Sequence, residues 1–244
     1  MLDIVKKHRL TDPLLILGVH RSGTSMLTRM VEKLGVFVGN DLQQDYESNT
    51  VIAINNAYFT GSQSSWDCPT YVRAAENGNN PIARLLTSNF DEIKSRFGPM
   101  NGLWGMKDPR FVVTLPLWQD VFPNLRAMVI RRDVRDIASS LYKRHCRLVE
   151  QGVFPATGDF VKGQIKFTQR CSTPDGALEF AEEQVETLRG YKSEGLLDGC
   201  LELEYKKLVS DPVEELSRIA SWLAISVPQS ALVAASGIPH QQAP

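Results

Sequence analysis

The stretch Leu14-Leu-Ile-Leu-Gly18-Val-His-Arg-Ser-Gly23-Thr24-Ser25 decides how this chain is read. Its spacing is that of the phosphate-binding loop G-x-x-x-x-G-K-[ST], but Thr24 stands where a nucleotide triphosphatase needs Lys. The apolar run Leu14 to Leu17 enters the loop as a strand. Met26, Leu27, Met30, Val31 and Leu34 leave it at helical spacing on one face. In that setting the backbone N–H groups of residues 21 to 25 point at an anion, helped by the positive end of the helix. With no loop Lys, and with Arg21 inside the loop, the favoured ligand is a nucleotide that offers no γ-phosphate to grip.

Outward from the loop, strand and helix patterns alternate, which favours a parallel sheet covered on both faces. The first strand spans residues 14–19 and the next helix runs to about Leu34, where Gly35 and Gly39 end it. A helix is expected over 49–59, an exposed loop over 61–80, and one helix over 81–97 on the spacing of Ile82, Leu85, Leu86, Phe90 and Ile93. Residues 103–107 read as a short strand running into Asp108-Pro109, and 127–131 as a buried strand. Asp133 is placed to cap a helix over 134–144. The span 152–173 reads as a loop with a helix near 159–169. Residues 177–192 form a helix capped by Asp175, 201–205 an edge strand, and 213–223 an amphipathic helix after Asp211-Pro212. The tail from Pro228 is expected to be weakly structured. The expectation is one α/β domain over 1–244, with its core at about 12–225. Its parallel sheet of four or five strands, flanked by helices, is of the P-loop nucleotide-kinase-like type.

A chain of 244 residues that is 43% hydrophobic has material for one sizeable core. Its formal net charge of −1 supplies no global basic field toward nucleic acid or an anionic membrane. Locally the balance differs: Arg126, Arg131, Arg132, Arg135, Lys143, Arg144 and Arg147 face only Asp133 and Asp136 in the same segment. An isolated run of this kind is a solvated helix face, but its place after a second strand makes it a candidate anion site. Cys68, Cys146, Cys171 and Cys200 show no C-x-x-C spacing, so free buried thiols in a reducing compartment are expected. The start of the chain shows no signal-peptide pattern, and no stretch approaches the ~20 apolar residues of a membrane span. A soluble, cytoplasmic protein is the expectation. No group of carboxylates or His stands at metal-ligand spacing, so no metal is expected.

Several segments together resemble sulfotransferases that use 3′-phosphoadenosine 5′-phosphosulfate (PAPS). Gly18-Val-His-Arg-Ser-Gly-Thr-Ser25 looks like their 5′-phosphosulfate loop, in a pattern close to bacterial members and to the tyrosylprotein sulfotransferases. Arg132-Asp-Val-Arg-Asp-Ile-Ala-Ser-Ser140 resembles their 3′-phosphate segment, and Arg144 matches a nucleotide-contacting Arg of the tyrosylprotein branch. Trp104-Gly-Met-Lys107-Asp108-Pro109 resembles a Lys-Asp-Pro element, and Tyr205-Lys-Lys-Leu-Val-Ser-Asp-Pro212 a Tyr-x-x-Leu-Val-x-x-Pro segment. These pieces stand in family order across residues 14 to 225.

The resemblance implies that Arg21, Ser22, Gly23, Thr24 and Ser25 cradle the phosphosulfate, while Arg132 and Ser140 hold the 3′-phosphate, with Arg144 and Tyr205 beside the nucleotide. A guanidinium and a hydroxyl suit a phosphate monoester through charge-assisted hydrogen bonds. Lys107 is the implied partner of the bridging oxygen, and Asp108 either orients it or holds the loop through an Asx-turn. Arg110 is a candidate contact, and Arg131 is the spare arginine, placed to reach across the sheet to a carboxylate. The general base is open among Glu47, Asp45 and His20. Glu47 also suits a helix start, and His20 titrates in the right range but stands where the tyrosylprotein branch has Pro. His20 therefore also reads as shaping the loop or holding the phosphosulfate. His8, His145 and His240 read as surface residues. Trp104 and Trp118 read as core, whereas Trp66 and Tyr71 lie on a polar loop that could line an acceptor site.

The chain departs from the animal cytosolic enzymes in lacking a Gly-rich segment to wrap the adenine. Residues 58–101 match nothing that identifies an acceptor, so a small molecule, a carbohydrate, a lipid headgroup and a peptide all stay open. Two rival readings are a small P-loop nucleotide or metabolite kinase, with Arg131, Arg132 and Arg135 as a lid, and a non-catalytic nucleotide-binding module. Thr24 at the Lys position counts against the kinase, because that Lys neutralises β/γ-phosphate charge.

Overall fold

The strands expected near residues 14–19, 103–107, 127–131 and 201–205 all form and pair in parallel. The computed structural model describes residues 3–72 and 80–238. Helix α1 (Asp3–Lys7) precedes strand β1 (Leu14–Leu17) and helix α2 (Thr24–Lys33). Helices α3 (Asn49–Gly61), α4 (Pro81–Ser88) and α5 (Phe90–Phe97) come before β2 (Gly105–Lys107). Helix α6 (Phe111–Val121) leads to β3 (Arg126–Arg131), and α7 (Val134–Glu150) leads to a hairpin of β4 (Phe160–Lys162) and β5 (Ile165–Phe167). Then follow α8 (Pro174–Ser193), β6 (Leu201–Glu204), α9 (Tyr205–Ser210), α10 (Pro212–Leu223) and α11 (Gln229–Ser236).

The main sheet has the order β2-β1-β3-β6. Leu14 stands opposite Gly105 and Arg126, and Met128 opposite Leu201, so β1 is central and β6 lies at an edge. Side chains alternate across a strand, so Leu15 and Leu17 face one core with Ile54, Phe111 and Trp118. Leu14 and Ile16 face the other, with Leu27 and Met30 of α2 and Leu216 and Ile219 of α10. Burial on both faces is why β1 reads as an unbroken apolar run.

Several expectations need correction. The helix expected over 81–97 is two, because Asn89 leaves helical geometry at φ −127° and divides α4 from α5. The helix expected near 159–169 is a hairpin. Phe160, Val161, Ile165 and Phe167 are strand formers, and Gly163 (φ +66°) supplies the turn between Lys162 and its partner Ile165. Helix α8 is capped by Thr173 rather than Asp175: Thr173 Oγ1 accepts from Gly176 N, and Pro174 takes the first position. The tail after Pro228 forms α11, whose Ala235 is buried, as is the following Ile238. Helix α6 carries no stripe, because Phe111, Val112, Leu115, Leu117 and Trp118 bury it all round.

No helix among the described residues is long and apolar enough to cross a membrane. The cysteines are free, but only Cys171 is fully buried, and Cys68 is exposed.

Candidate active site

The parallel strands direct their C-terminal ends to one rim of the sheet, and the residues singled out in the sequence gather there. The loop 18–25 follows β1, Lys107 ends β2, Arg132 follows β3 and Tyr205 follows β6. In a sheet of this order the crevice opens between β1 and β3, where the chain changes direction. The loop and Arg132 flank that crevice.

Within the loop, Arg21 (φ +69°) and Gly23 (φ +105°) take left-handed geometry. A side chain at Gly23 would place its Cβ 2.5 Å from the Tyr205 ring, so glycine there lets the ring lie against the loop. Helix α2 then starts at Thr24 with no side-chain cap, leaving its first N–H groups for an anion. Ser22 is buried, and its Oγ has no hydrogen-bond partner among the described residues.

On the second arm, Asp133 caps α7 by accepting from Arg135 N (2.9 Å) and Asp136 N (3.2 Å). That turn brings Arg132 and Ser140 to the same residue of the loop. Arg132 Nη1 donates to the Arg21 carbonyl at 3.0 Å, and Arg21 Nε donates to Ser140 Oγ at 3.0 Å. The Arg132 guanidinium also lies 4.5 Å from the centre of the Tyr205 ring. Among the described residues its buried Nε has no hydrogen-bond partner, and the Asp136 carboxylate stands off at 3.9 Å. Arg144, one turn beyond Ser140, lies over Trp66 at 5.8 Å. Burial lowers the pKa of Arg21, and Arg144, Arg147 and Arg132 lower it further. Among the described residues no carboxylate forms an ion pair with Arg21 or Arg144. Such a group of cations favours a polyanion. Arg131, by contrast, turns across the sheet to Glu202 at 2.9 Å.

Opposite this arm lies a buried charge cluster. Lys107, 3% exposed, donates from Nζ to Glu47 Oε1 at 2.8 Å and to the Asp45 carbonyl at 2.9 Å. Glu47 Oε2 accepts from Arg110 Nη1 at 3.3 Å. The turn that delivers Glu47 is held by Asp41, which accepts from Ser48 Oγ (2.6 Å) and Thr50 N (2.7 Å) at the start of α3. Burial pushes the Glu47 carboxyl up, but Lys107 and Arg110 outweigh it and hold its pKa below the usual carboxylate range. Asp108 does not orient Lys107. It makes the Asx-turn, with Oδ1 accepting from Arg110 N and Nη1, both at 2.9 Å, and Oδ2 accepting from Asn55 Nδ2 at 2.8 Å. Asn55 is fully buried, and its Oδ1 accepts from Thr114 Oγ1 and Trp118 Nε1, both at 2.9 Å. Asp45 keeps an exposed carboxylate at the mouth, on the side of Arg21 and Arg144.

His20 stands between the two groups, half-buried, with its ring 4.7 Å from Trp66 and 6.5 Å from Phe180. Burial, then Arg110, Arg144, Lys107 and Arg21, hold its pKa well below the usual imidazole range. The other histidines depart from the surface expectation. His8 is half-buried, 4.0 Å from the Phe90 ring, and His145 is buried 5.7 Å from Phe154; His240 lies outside the described residues. Trp104 and Trp118 are core, as expected, and Tyr71 accepts a hydrogen bond from Gln184 Nε2.

The profile of the Sulfotransferase family matches residues 13–229, most of the chain. The chain belongs to the sulfotransferase family. A relative named "Putative protein-tyrosine sulfotransferase", from Caenorhabditis briggsae, is 20% identical over 221 residues, covering 88% of this chain and 66% of that protein. The sulfotransferase chain thus spans just under two thirds of that relative's length. A crystal structure of a sulfotransferase from Alicyclobacillus acidocaldarius superposes with a TM-score of 0.55 at 15% identity, over 90% of this chain and 84% of that one. A mouse sulfotransferase complexed with PAP gives a TM-score of 0.51 at 15% identity, over 97% and 68%. At such identities the shared property is the fold, an α/β sheet with a P-loop-like turn.

Sequence reasoning on this sulfotransferase missed Asn55, a polar residue in a helix with no motif around it. Its sole signal is position, on the helix that Ser48 and Asp41 start beside Glu47. Arg110, a candidate contact in the sequence, joins Glu47 to Asp108 through its guanidinium.

Proposed function

We propose that this chain transfers a sulfuryl group from PAPS to a hydroxyl or amine of a small-molecule, carbohydrate or peptide acceptor, in a cytoplasmic setting. The observation that carries this reading is the meeting of Arg132, Ser140 and Arg21 at the mouth of a phosphate loop that has Thr24 at the Lys position. The donor fits the residues present: among the described residues Ser22 Oγ and Arg132 Nε are buried without hydrogen-bond partners, and Arg21 and Arg144 form no ion pair.

The donor supplies a sulfuryl group activated by its link to phosphate. The N–H groups of residues 21 to 25, with Arg21, hold the phosphosulfate end. Arg132 and Ser140 hold the 3′-phosphate, with Tyr205 packed under Arg132 and Arg144 beside the nucleotide. Lys107, fixed by Glu47 and the Asp45 carbonyl, keeps one N–H that would serve the bridging oxygen of a bound donor and neutralise charge developing there. Glu47 is the carboxylate that accepts the acceptor's proton. Its low basicity limits what proton abstraction contributes and leaves most of the barrier reduction to positioning and electrostatics.

Calorimetric titration with adenosine 3′,5′-bisphosphate, beside ATP with magnesium, tests the reading. Micromolar binding of the bisphosphate that is lost in Arg132→Ala supports it. Binding of ATP with magnesium alone overturns it in favour of the kinase.

A further inference from the structure

His20 has a setting that the donor-binding arrangement does not use. It lies in the donor loop directly before Arg21. Arg21 adjoins it in the loop, and Arg144 lies over the same Trp66 ring at 5.8 Å; the charges of Arg110, Arg144, Lys107 and Arg21 all disfavour a proton on its ring. Trp66 and α8 offer it ring faces, through Trp66 itself and Phe180. The buried carboxylate of this neighbourhood, Glu47, already serves Lys107 and Arg110 through both oxygens. Asp108 is taken by Arg110 and Asn55, and Asp45 lies exposed at the mouth. Neither ring nitrogen of His20 has a hydrogen-bond partner among the described residues, although the ring is fixed against Trp66.

We propose that His20 is a further anion-binding residue of the donor loop, which takes up a proton from solvent as the donor binds and then donates a charged N–H to the donor's 5′ end. In the free protein an imidazolium here would face four cations with no acceptor for its N–H groups, so the neutral ring is selected. A nucleotide carrying phosphate at both its 5′ and 3′ ends reverses that balance. It neutralises Arg21 and its neighbours and places acceptor oxygens on the loop next to the ring. The inference rests on the donor reading above, and it adds a direction to it. Because the bound-state pKa lies above the free-state pKa, binding takes up protons and affinity falls as pH rises between the two values.

The test is calorimetry of the full chain with adenosine 3′,5′-bisphosphate in buffers of different ionisation enthalpy, on wild type and His20→Gln. The phosphates titrate near neutrality themselves, so the difference between the two proteins is the readout. The expected result is about half a proton more taken up by wild type than by His20→Gln near pH 6.5, and a wild-type-to-variant affinity ratio that falls roughly three- to tenfold between about pH 6 and pH 7.5. A second readout on wild type alone is the His20 ring resonance, which should titrate at higher pH with the bisphosphate bound. Equal proton uptake in both proteins, or a ring titration unmoved by the ligand, overturns the proposal and leaves the donor reading standing. No binding to either protein removes the donor reading and this inference with it.

Discussion

Arg21 donates from Nε to Ser140 Oγ at 3.0 Å, across 119 residues of sequence. With Arg132 bonded to the carbonyl of the same Arg21, the loop after β1 and the start of α7 form one unit. The proposed 5′ and 3′ contacts are therefore set in mutual position before a nucleotide arrives. Such preorganisation lowers the cost of binding.

Arg132→Ala should weaken adenosine 3′,5′-bisphosphate binding by roughly 10- to 100-fold, the loss of about 1.5–3 kcal/mol for a charged hydrogen-bonding group. Ser140→Ala should cost about 1 kcal/mol, and the double variant less than the sum, because both residues act through Arg21. Calorimetry on the three variants checks this. Additive losses would show that the two residues bind independently.

Lys107→Met separates chemistry from binding. Removing a donor aimed at developing charge should lower kcat about 10²- to 10³-fold, with bisphosphate affinity little changed. The variant also leaves Glu47 buried with Arg110 as its single remaining cation, which should destabilise the fold by about 3 kcal/mol. Turnover of labelled donor and denaturant unfolding measure the two effects. A folded variant with undiminished turnover excludes Lys107 from the chemical step.

Glu47 should also set an acid limit on stability. Its folded-state pKa is held below the unfolded value by Lys107 and Arg110. The stabilisation is thus complete above the unfolded carboxyl range, about pH 4.3, and is lost as pH falls through the folded value. Asp108, pushed up by burial despite Arg110, works in the opposite direction, so the net slope alone is ambiguous. Glu47→Gln resolves it. Urea unfolding between about pH 3 and pH 7 should show a flatter acid limb in the variant than in wild type.

How much of this was legible follows from where each signal sits in the chain. The sheet and the loop were readable because β1 is buried on both faces and the Gly18-to-Ser25 spacing is local. Lys107, Arg132 and Tyr205 were readable because each stands in a segment that resembles a family motif, at or just after the end of a strand. Helix α6 escaped because an all-round apolar helix with Pro116 inside it carries no 3.6-residue stripe. The β4–β5 hairpin escaped because its strands are three residues each, too short for alternation to show. The Glu47–Lys107–Arg110–Asp108–Asn55 cluster joins residues about 60 positions apart, and no local pattern encodes such pairings. His145 shows the same blind spot: α7 looks polar there, yet the ring is covered by Phe154 from beyond the helix.

Asn55 bears on stability most directly. It supplies Nδ2 to Asp108 and Oδ1 to Thr114 and Trp118, at the centre of the core beneath the charge cluster. Asn55→Leu keeps similar bulk but strands a carboxylate oxygen and an indole N–H, while the Thr114 hydroxyl can still donate to the Arg110 carbonyl at 3.3 Å. Each unmet buried group costs about 1–3 kcal/mol, so a total near 3 kcal/mol or more is expected after relaxation. Denaturant midpoints check the value, and an unchanged midpoint would mean that the network is not formed in solution.

Gly23 offers the last test, because its geometry and its neighbour pull in separable ways. At φ +105° any side chain is strained, by about 1–3 kcal/mol. A Cβ there would also stand 2.5 Å from the Tyr205 ring, which in turn carries the Arg132 guanidinium. Gly23→Ala should therefore displace Tyr205 and, through it, Arg132, lowering bisphosphate affinity at least tenfold as well as stability. Adding Tyr205→Ala removes the clash but not the backbone strain. If packing against Tyr205 transmits the effect, the double variant should lose no more affinity than Tyr205→Ala alone, while stability stays reduced. If the double variant binds as poorly as Gly23→Ala despite a freed Arg132, the strained loop backbone itself carries the loss.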